Sequence, residues 1–371
     1  MPLPTPEQIW YQRHPLGLSL IPLGWLYCAV AGLRAHAYRR GWLAQARLDV
    51  PVILVGNLTV GGTGKTPLVL WLVTFLRQRG HRPGIVSRGY RAAATTAAAD
   101  PVPVAADGDP AWYGDEPLLL ARRSGVPVVV GRDRVAAARL LVRAFGCDCV
   151  VGDDGLQHYR LGRALEILLI DGQRELGNRR CLPAGPLREP PRRLHQAQLV
   201  LRNGLGDNTW PGLRVQPGAA VRLRDDCTRP LAAFAGRRVT AVAGIGHPER
   251  FFALLRGQGL AIDARTYPDH HPFALAECAR WPPGPVLMTE KDAVKLRALL
   301  ATAVGADLVA ADLWYLPIAV VPEAGFVTRL EAALTRLQTD YPRFVPDPAA
   351  RVGPSPRLPA ASGPEVDDVA P

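Results

Sequence analysis

Residues 51–79 constrain this chain more than any other stretch. PVILVG (51–56) is a short apolar run, NLTVGGTGK (57–65) is glycine-rich, and TPLVLWLVTFLRQR (66–79) carries helical apolar spacing that stops at Gly80. A buried strand, a glycine turn and a helix in that order form a βα unit whose turn carries the GxGKT pattern of a phosphate-binding loop. Glycines at 61, 62 and 64 let backbone N–H groups turn inward around phosphate oxygens, and the helix N-terminus adds partial positive charge. Lys65 is placed to reach β- and γ-phosphates, and the Thr66 hydroxyl to ligate Mg²⁺. Pro67 is tolerated because a first-turn N–H has no helical partner to lose. Gly61, Gly62, Thr63, Gly64, Lys65 and Thr66 are therefore candidate nucleotide-binding residues. Thr59 stands where the usual loop has glycine, and Val60 where partition-type ATPases carry lysine.

Such a loop needs a carboxylate at the end of a neighbouring strand to hold the metal. CDCVVGDD (147–154) supplies two, Asp153 and Asp154. Adjacent residues at a strand end point in opposite directions, so the pattern does not choose between them. Further strands are expected at 84–87, 126–130, 166–171 and 198–201, with a helix at 133–145. That alternation predicts an α/β fold, a doubly wound P-loop NTPase-type sheet. A second, smaller α/β domain is expected from strands at 239–243, 262–267, 286–288 and 315–320, with helices at 248–256 and 292–300. The expected boundaries are an N-terminal apolar helix over 1–40, a P-loop domain over 41–210, a linker over 211–236, the C-terminal domain over 237–340 and a disordered Pro/Ala/Gly-rich tail over 341–371.

LGLSLIPLGWLYCAVAGL (16–33) has no charge and is followed by Arg34, Arg39 and Arg40. Its length is at the lower edge for crossing a bilayer, and Pro22 is expected to kink it. A cleaved signal, a buried core helix and a membrane-associated helix are the three readings. The flanking arginines suit anionic headgroups and a cytoplasmic remainder. The net charge of +11 points to anionic partners, yet no recognised nucleic-acid motif accompanies it. Among 44 Lys and Arg residues, lysine stands only at Lys65, Lys291 and Lys295, positions where arginine would not serve. Six cysteines without CxxC spacing read as free thiols of a reducing compartment.

Beyond the loop, SRGY (87–90), GDEP (114–117), DDGLQH (153–158), LPAGPLRE (182–189), GIGHPERFF (244–252), DHH (269–271) and TEKDAVK (289–295) follow in order. With these motifs the sequence resembles the tetraacyldisaccharide 4′-kinase family, the lipid A 4′-kinases of Gram-negative bacteria, from the apolar N-terminus to about residue 335. Thr59 belongs to that family's usual loop; Leu156 stands where the family commonly has Phe. The resemblance implies ATP, with Mg²⁺, phosphorylating the 4′-hydroxyl of a tetraacyl glucosamine disaccharide 1-phosphate, a lipid A precursor, to give lipid IVA in lipopolysaccharide biosynthesis. It implies work at the membrane surface, at the cytoplasmic face of the inner membrane; no nucleic acid is expected, and no protein partner is implied.

By matched position, Asp115 of GDEP would be the general base, assisted by His270, the first histidine of DHH. Alone, Asp115 reads as a helix N-cap and His270 as a loop histidine. Glu116, His158, Arg188 and Glu189 are further candidates for metal, phosphate or nucleotide contacts, with Glu116 joining Thr66, Asp153 and Asp154 as a metal candidate. Arg88 is a phosphate candidate, and Lys291 is a candidate because it shares a helix face with Lys295. GIG (244–246) lacks the GKT lysine and reads as tight packing. The alternative from a different class is a membrane-associated P-loop ATPase acting as a switch, which would need no general base.

Overall fold

The computed structural model describes residues 4–12, 14–89, 92–97, 101–207, 209–302 and 312–347. Most of the expected disordered tail, from 348 onward, lies outside the described residues. Its strands are β1 (Val52–Gly56), β2 (Pro83–Ser87), β3 (Val102–Pro103), β4 (Val128–Val130), β5 (Cys149–Asp153), β6 (Leu165–Asp171), β7 (Leu199–Asn203) and β8 (Gly212–Pro217). Then come β9 (Ala220–Arg222), β10 (Thr228–Arg229), β11 (Arg238–Ala243), β12 (Ala261–Thr266), β13 (Val286–Thr289), β14 (Leu313–Leu316) and β15 (Ile318–Pro322). The helices that matter for the site are α1 (Ile21–Arg39), α2 (Lys65–Gln78), α3 (Asp115–Ser124), α4 (Arg134–Phe145), α5 (Pro248–Gly257), α6 (Glu290–Thr302) and α7 (Ala324–Asp340).

The chain divides into two compact units. Of the described residues, the first comprises those in 1–108, 112–215 and 320–347; the second, those in 216–319 with 109–111. In the first unit the strand order is β15-β8-β7-β6-β1-β5-β2-β4-β3. β1 pairs in parallel with β5 and β6, and only the short β3 runs antiparallel to its neighbour among the registered pairs. All five residues of β1 are buried, as a strand covered by helices on both faces requires. One face is packed by α2 and α7, through residues such as Leu68, Leu72, Phe326 and Leu330. The other is packed by α4 through Val135, Ala138 and Leu141. The second unit has the order β10-β9-β14-β13-β11-β12, with β14, β13, β11 and β12 parallel. The doubly wound P-loop expectation and the second, smaller α/β domain both hold.

The expected boundaries differ in four places. Residues 211–236 are not a linker: β8 extends the first sheet, and β9 and β10 belong to the second. Their sequence reads as polar because β8 and β10 leave side chains exposed. The single strand expected at 315–320 is two strands, β14 and β15, in different sheets. Pro317, which has no N–H for a ladder, separates them. Helix α7 belongs to the first unit instead of the second, burying Phe326, Leu330, Leu334 and Leu337 at helical spacing. Finally, residues 341–347 are ordered onto the first unit: Phe344 is fully buried, its ring stacked 3.9 Å from that of His81.

At the N-terminus, Pro22 starts α1 instead of kinking it, since Leu20 caps the helix and the first turn has no bond to lose. Gly24 and Ala35 are buried, whereas Leu23, Leu26, Val30 and Leu33 form an exposed stripe at helical spacing. Among the described residues no helix is long and apolar enough to cross a membrane. Cys28 on α1 is disulfide-bonded to Cys181, which corrects the expectation of six free thiols. Partners 153 positions apart leave no spacing signal in a sequence. Cys147, Cys149, Cys227 and Cys278 are free.

Candidate active site

β1 delivers the chain into the loop at Gly56, where a Cβ would stand 2.4 Å from Cγ of the buried Leu156. Gly61 and Gly64 take φ of +109° and +88°, values that exclude ordinary side chains. Gly64 caps α2, so Lys65 and Thr66 open the helix with their N–H groups facing the turn. The loop is held by two asparagines. Asn57, fully buried, donates to the Thr59 carbonyl at 2.8 Å and accepts from Lys65 Nζ at 3.0 Å. Asn203, at the end of β7, donates to the Thr63 carbonyl at 2.7 Å. The LPAGPLRE segment lines the same loop: Val60 N–H donates to the Pro186 carbonyl at 2.8 Å, and Arg188 N–H to that of Leu58 at 2.7 Å. Thr59 is thus an interior loop residue, buried and bridged antiparallel to Leu187.

The two aspartates after β5 have different environments. Asp153 is 3 % exposed, and its Oδ1 has no hydrogen-bond partner among the described residues. Burial first, then the charge of Glu116, push its carboxyl up to about 7 against the opposing charge of Lys65. Asp154 turns into the left-handed region at φ +51°. Its carboxylate accepts from Arg188 Nη1 at 2.9 Å and lies 3.5 Å from Lys65 Nζ. Burial works against its ionisation, yet Lys65 and Arg188 outweigh it and hold the group well below the usual carboxylate range.

The remaining candidates separate by environment. Asp115 is buried in the first turn of α3 and accepts from the Glu116 N–H at 3.1 Å; the N-cap itself is Gly114. His158 has a buried Nε2 without a partner among the described residues, and burial followed by the charge of Arg134 lowers it to about 4, so its ring is neutral. Glu189 is absorbed into packing: it accepts from Tyr159 Oη at 2.5 Å and Gln157 Nε2 at 3.0 Å, with Arg193 Nε at 3.3 Å. Arg88 is exposed beyond β2. His270 and Lys291 lie in the second unit, with Lys291 Nζ 3.3 Å from His270 Nε2 and 3.1 Å from Asp269 Oδ1.

Lys65, Asp153, Asp154 and Arg188 are thus gathered in the first unit, with Glu116 in electrostatic reach. Asp115 belongs to that unit as well, and its expected partner His270 to the other. Sequence reasoning missed Asn57, Asn203 and Arg134. Arg134 is 4 % exposed, donates to the Asp153 carbonyl at 3.1 Å, and is lowered by burial despite the two aspartates. Asn57 sat in a quoted motif without a reason; Asn203, 140 positions from Thr63, carried no signal.

The residues fit a nucleotide and a hard cation. Nothing lies within 4 Å of the Cβ positions of Gly61 and Gly62, and Thr63 Oγ1 is buried without a partner among the described residues. Asp153 Oδ1 is an equally orphaned acceptor. The described residues hold no group of three or more His, Cys, Asp or Glu that would enclose a metal. That is compatible with Mg²⁺, which keeps waters and phosphate oxygens as ligands beside one or two carboxylates.

A phosphate-binding loop between β1 and α2, beside an aspartate that ends the adjacent β5, defines a P-loop nucleotide-binding protein. A family model described as tetraacyldisaccharide-1-P 4′-kinase matches residues 16–335. The chain belongs to that family. It is 50 % identical over 333 residues to the tetraacyldisaccharide 4′-kinase of Alkalilimnicola ehrlichii, covering 89 % of this chain and 97 % of that one. The enzyme of the same name from Thiobacillus denitrificans is 47 % identical over 337 residues, covering 88 % and 98 %. Among solved structures, the apo-form LpxK of Aquifex aeolicus in complex with ATP superimposes with a TM-score of 0.70 at 28 % identity, covering 87 % of this chain and 99 % of that chain.

Proposed function

We propose that this kinase transfers the γ-phosphate of ATP to the 4′-hydroxyl of a tetraacyl glucosamine disaccharide 1-phosphate, giving lipid IVA at the cytoplasmic membrane surface. The observation that carries the reading is the first unit's cluster: Lys65 and two orphaned oxygens, Thr63 Oγ1 and Asp153 Oδ1, around a phosphate-binding turn. Thr66, Asp153 and Glu116 would hold Mg²⁺, which neutralises charge on the β- and γ-phosphate oxygens. Asp154 is left to hold Lys65 and Arg188, whose cations would offset charge on the transferred phosphoryl group. Asp115 takes the proton from the 4′-hydroxyl as the O4′–Pγ bond forms and the bond from Pγ to the β–γ bridging oxygen breaks, releasing ADP; His270 is the residue assigned to assist that proton transfer.

Transfer of labelled γ-phosphate to the purified disaccharide in detergent micelles tests this. Loss of a general base costs roughly 10²–10⁴-fold, so Asp115→Ala should lose transfer by that factor while Lys65→Ala loses it with weakened ATP binding. ATP turnover that survives Asp115→Ala without labelled lipid would favour the switch ATPase instead. The exposed stripe of α1 supports docking on the bilayer interface, with Trp25 72 % exposed beside it and Arg34, Arg39 and Arg40 toward its C-terminal end. Leu26→Glu with Val30→Glu should release the protein from anionic vesicles; undiminished co-sedimentation refutes that placement.

A further inference from the structure

In the second unit's sheet, β11 lies between β12 and β13. The chain leaves β11 for β12 on one side, then crosses back to β13 on the other. The carboxyl ends flanking such a reversal are where open α/β sheets bind ligands. Three motifs converge there: Gly244–His247 after β11, Tyr267–His271 after β12 and Thr289–Lys291 at the end of β13. They are tied together by the fully buried Asp292, which accepts from the Gly244 N–H at 2.9 Å and contacts Thr289 Oγ1 at 2.6 Å. Lys295 Nζ lies 2.8 Å from its other oxygen. The start of α6, and Lys291 on it, is therefore anchored. His270 is held at φ +62°, a conformation a histidine adopts only when its surroundings impose it.

Lys291 Nζ stands 3.3 Å from His270 Nε2. An ammonium can only donate, so a hydrogen bond across this gap requires the facing nitrogen to accept, which places the ring proton on Nδ1. The carboxylate of Asp269, which could favour the opposite tautomer, has its nearer charge contact with Lys291 at 3.1 Å and is 3.9 Å from Nε2. Two neighbouring charged side chains are engaged in pairs of their own, His271 with Glu277 and Lys295 with Asp292. We infer that Lys291 is a positioning residue that fixes His270 as the neutral Nδ1–H tautomer, so that the ring serves acceptor activation as a hydrogen-bond donor through Nδ1. This sharpens the role proposed for His270 and rests on that reading for its consequence in catalysis. It also gives a reason for a lysine here in a chain that uses arginine almost everywhere: one compact ammonium meets Asp269 and His270 together.

Long-range ¹H–¹⁵N correlation of the full chain labelled with ¹⁵N-histidine reads the tautomer directly, with His270 assigned through His270→Gln. At neutral pH the native ring should show a protonated Nδ1 and a bare Nε2. Lys291→Met should return it to the Nε2–H form and lower kcat by less than the roughly 10²–10⁴-fold that loss of a whole acid–base group costs, with KM for ATP unchanged. Lys295→Met, on the same helix, should leave the His270 tautomer alone, and the remaining histidine signals report that each variant is folded. A native Nε2–H or doubly protonated ring, or a tautomer indifferent to Lys291→Met, overturns the inference. If the tautomer switches as expected but labelled phosphate never reaches the disaccharide, the contact stands and the acceptor reading falls.

Discussion

Replacing Asp153 with asparagine keeps the shape of a buried side chain and removes its charge. The native carboxyl is raised from 3.8 to about 7, mainly by burial and then by Glu116. A folded-state value above the unfolded one means the fold prefers the protonated form. Stability is therefore full below pH 4 and falls as pH rises toward 7, staying low above that. About three pH units at 1.36 kcal/mol each give a penalty of about 4 kcal/mol at pH 8 as a ceiling. The neutral amide carries none of it. In metal-free buffer with a chelator, Asp153→Asn should match the native protein at pH 4 and exceed it at pH 8, by up to roughly 10 °C in Tm. Taking the difference between the two proteins cancels the titrating groups that do not interact with Asp153, His158 among them. With Mg²⁺ and ADP added, the native protein should gain stability that the variant does not. An equal effect of the substitution at both pH values, or a loss of stability at pH 8, would refute the reasoning.

Other expectations are narrower. Asn203→Asp removes the donor to the Thr63 carbonyl and sets a carboxylate against it; leaving that acceptor unsatisfied costs roughly 1–3 kcal/mol, so KM for ATP should rise about 5–150-fold with KM for the lipid unchanged. Gly56→Ala drives a methyl into Leu156 and should cost about 1–3 kcal/mol in urea unfolding, a loss that Gly56→Ala with Leu156→Ala recovers in part. His158 is held at about 4, so its contribution is complete above pH 6.5 and is lost as pH falls toward 4; His158→Gln should flatten that loss in unfolding curves measured across the interval.

The phosphate-binding loop was legible because its chemistry is local: strand, glycines, lysine and hydroxyl occupy one short run. β5 and its aspartates were legible for the same reason, but their division of labour was not. It arises from Arg188 beside Asp154 and Glu116 near Asp153, both more than thirty positions away in sequence. Glu189 looked like a ligand because its motif pairs it with Arg188, and only the fold shows Tyr159, Gln157 and Arg193 consuming it. The region 211–236 misled because short, half-exposed strands share the composition of a loop. The disulfide and the grip of Asn203 on Thr63 have separations of 153 and 140 residues, and nothing local announces either.

The return of the chain to the first sheet has a consequence for synthesis. β15 and α7 come from the far end of the sequence, yet Phe326 and Leu330 complete the core that Leu68 and Leu72 begin. A nascent chain that has already emitted its phosphate-binding loop still lacks that cover until the whole second unit has emerged from the ribosome. During this interval an apolar face of α2 and its sheet is open to chaperones or to mispairing. A truncation near residue 210, where a boundary would be drawn from the sequence, should therefore yield an aggregating fragment instead of a minimal nucleotide-binding domain.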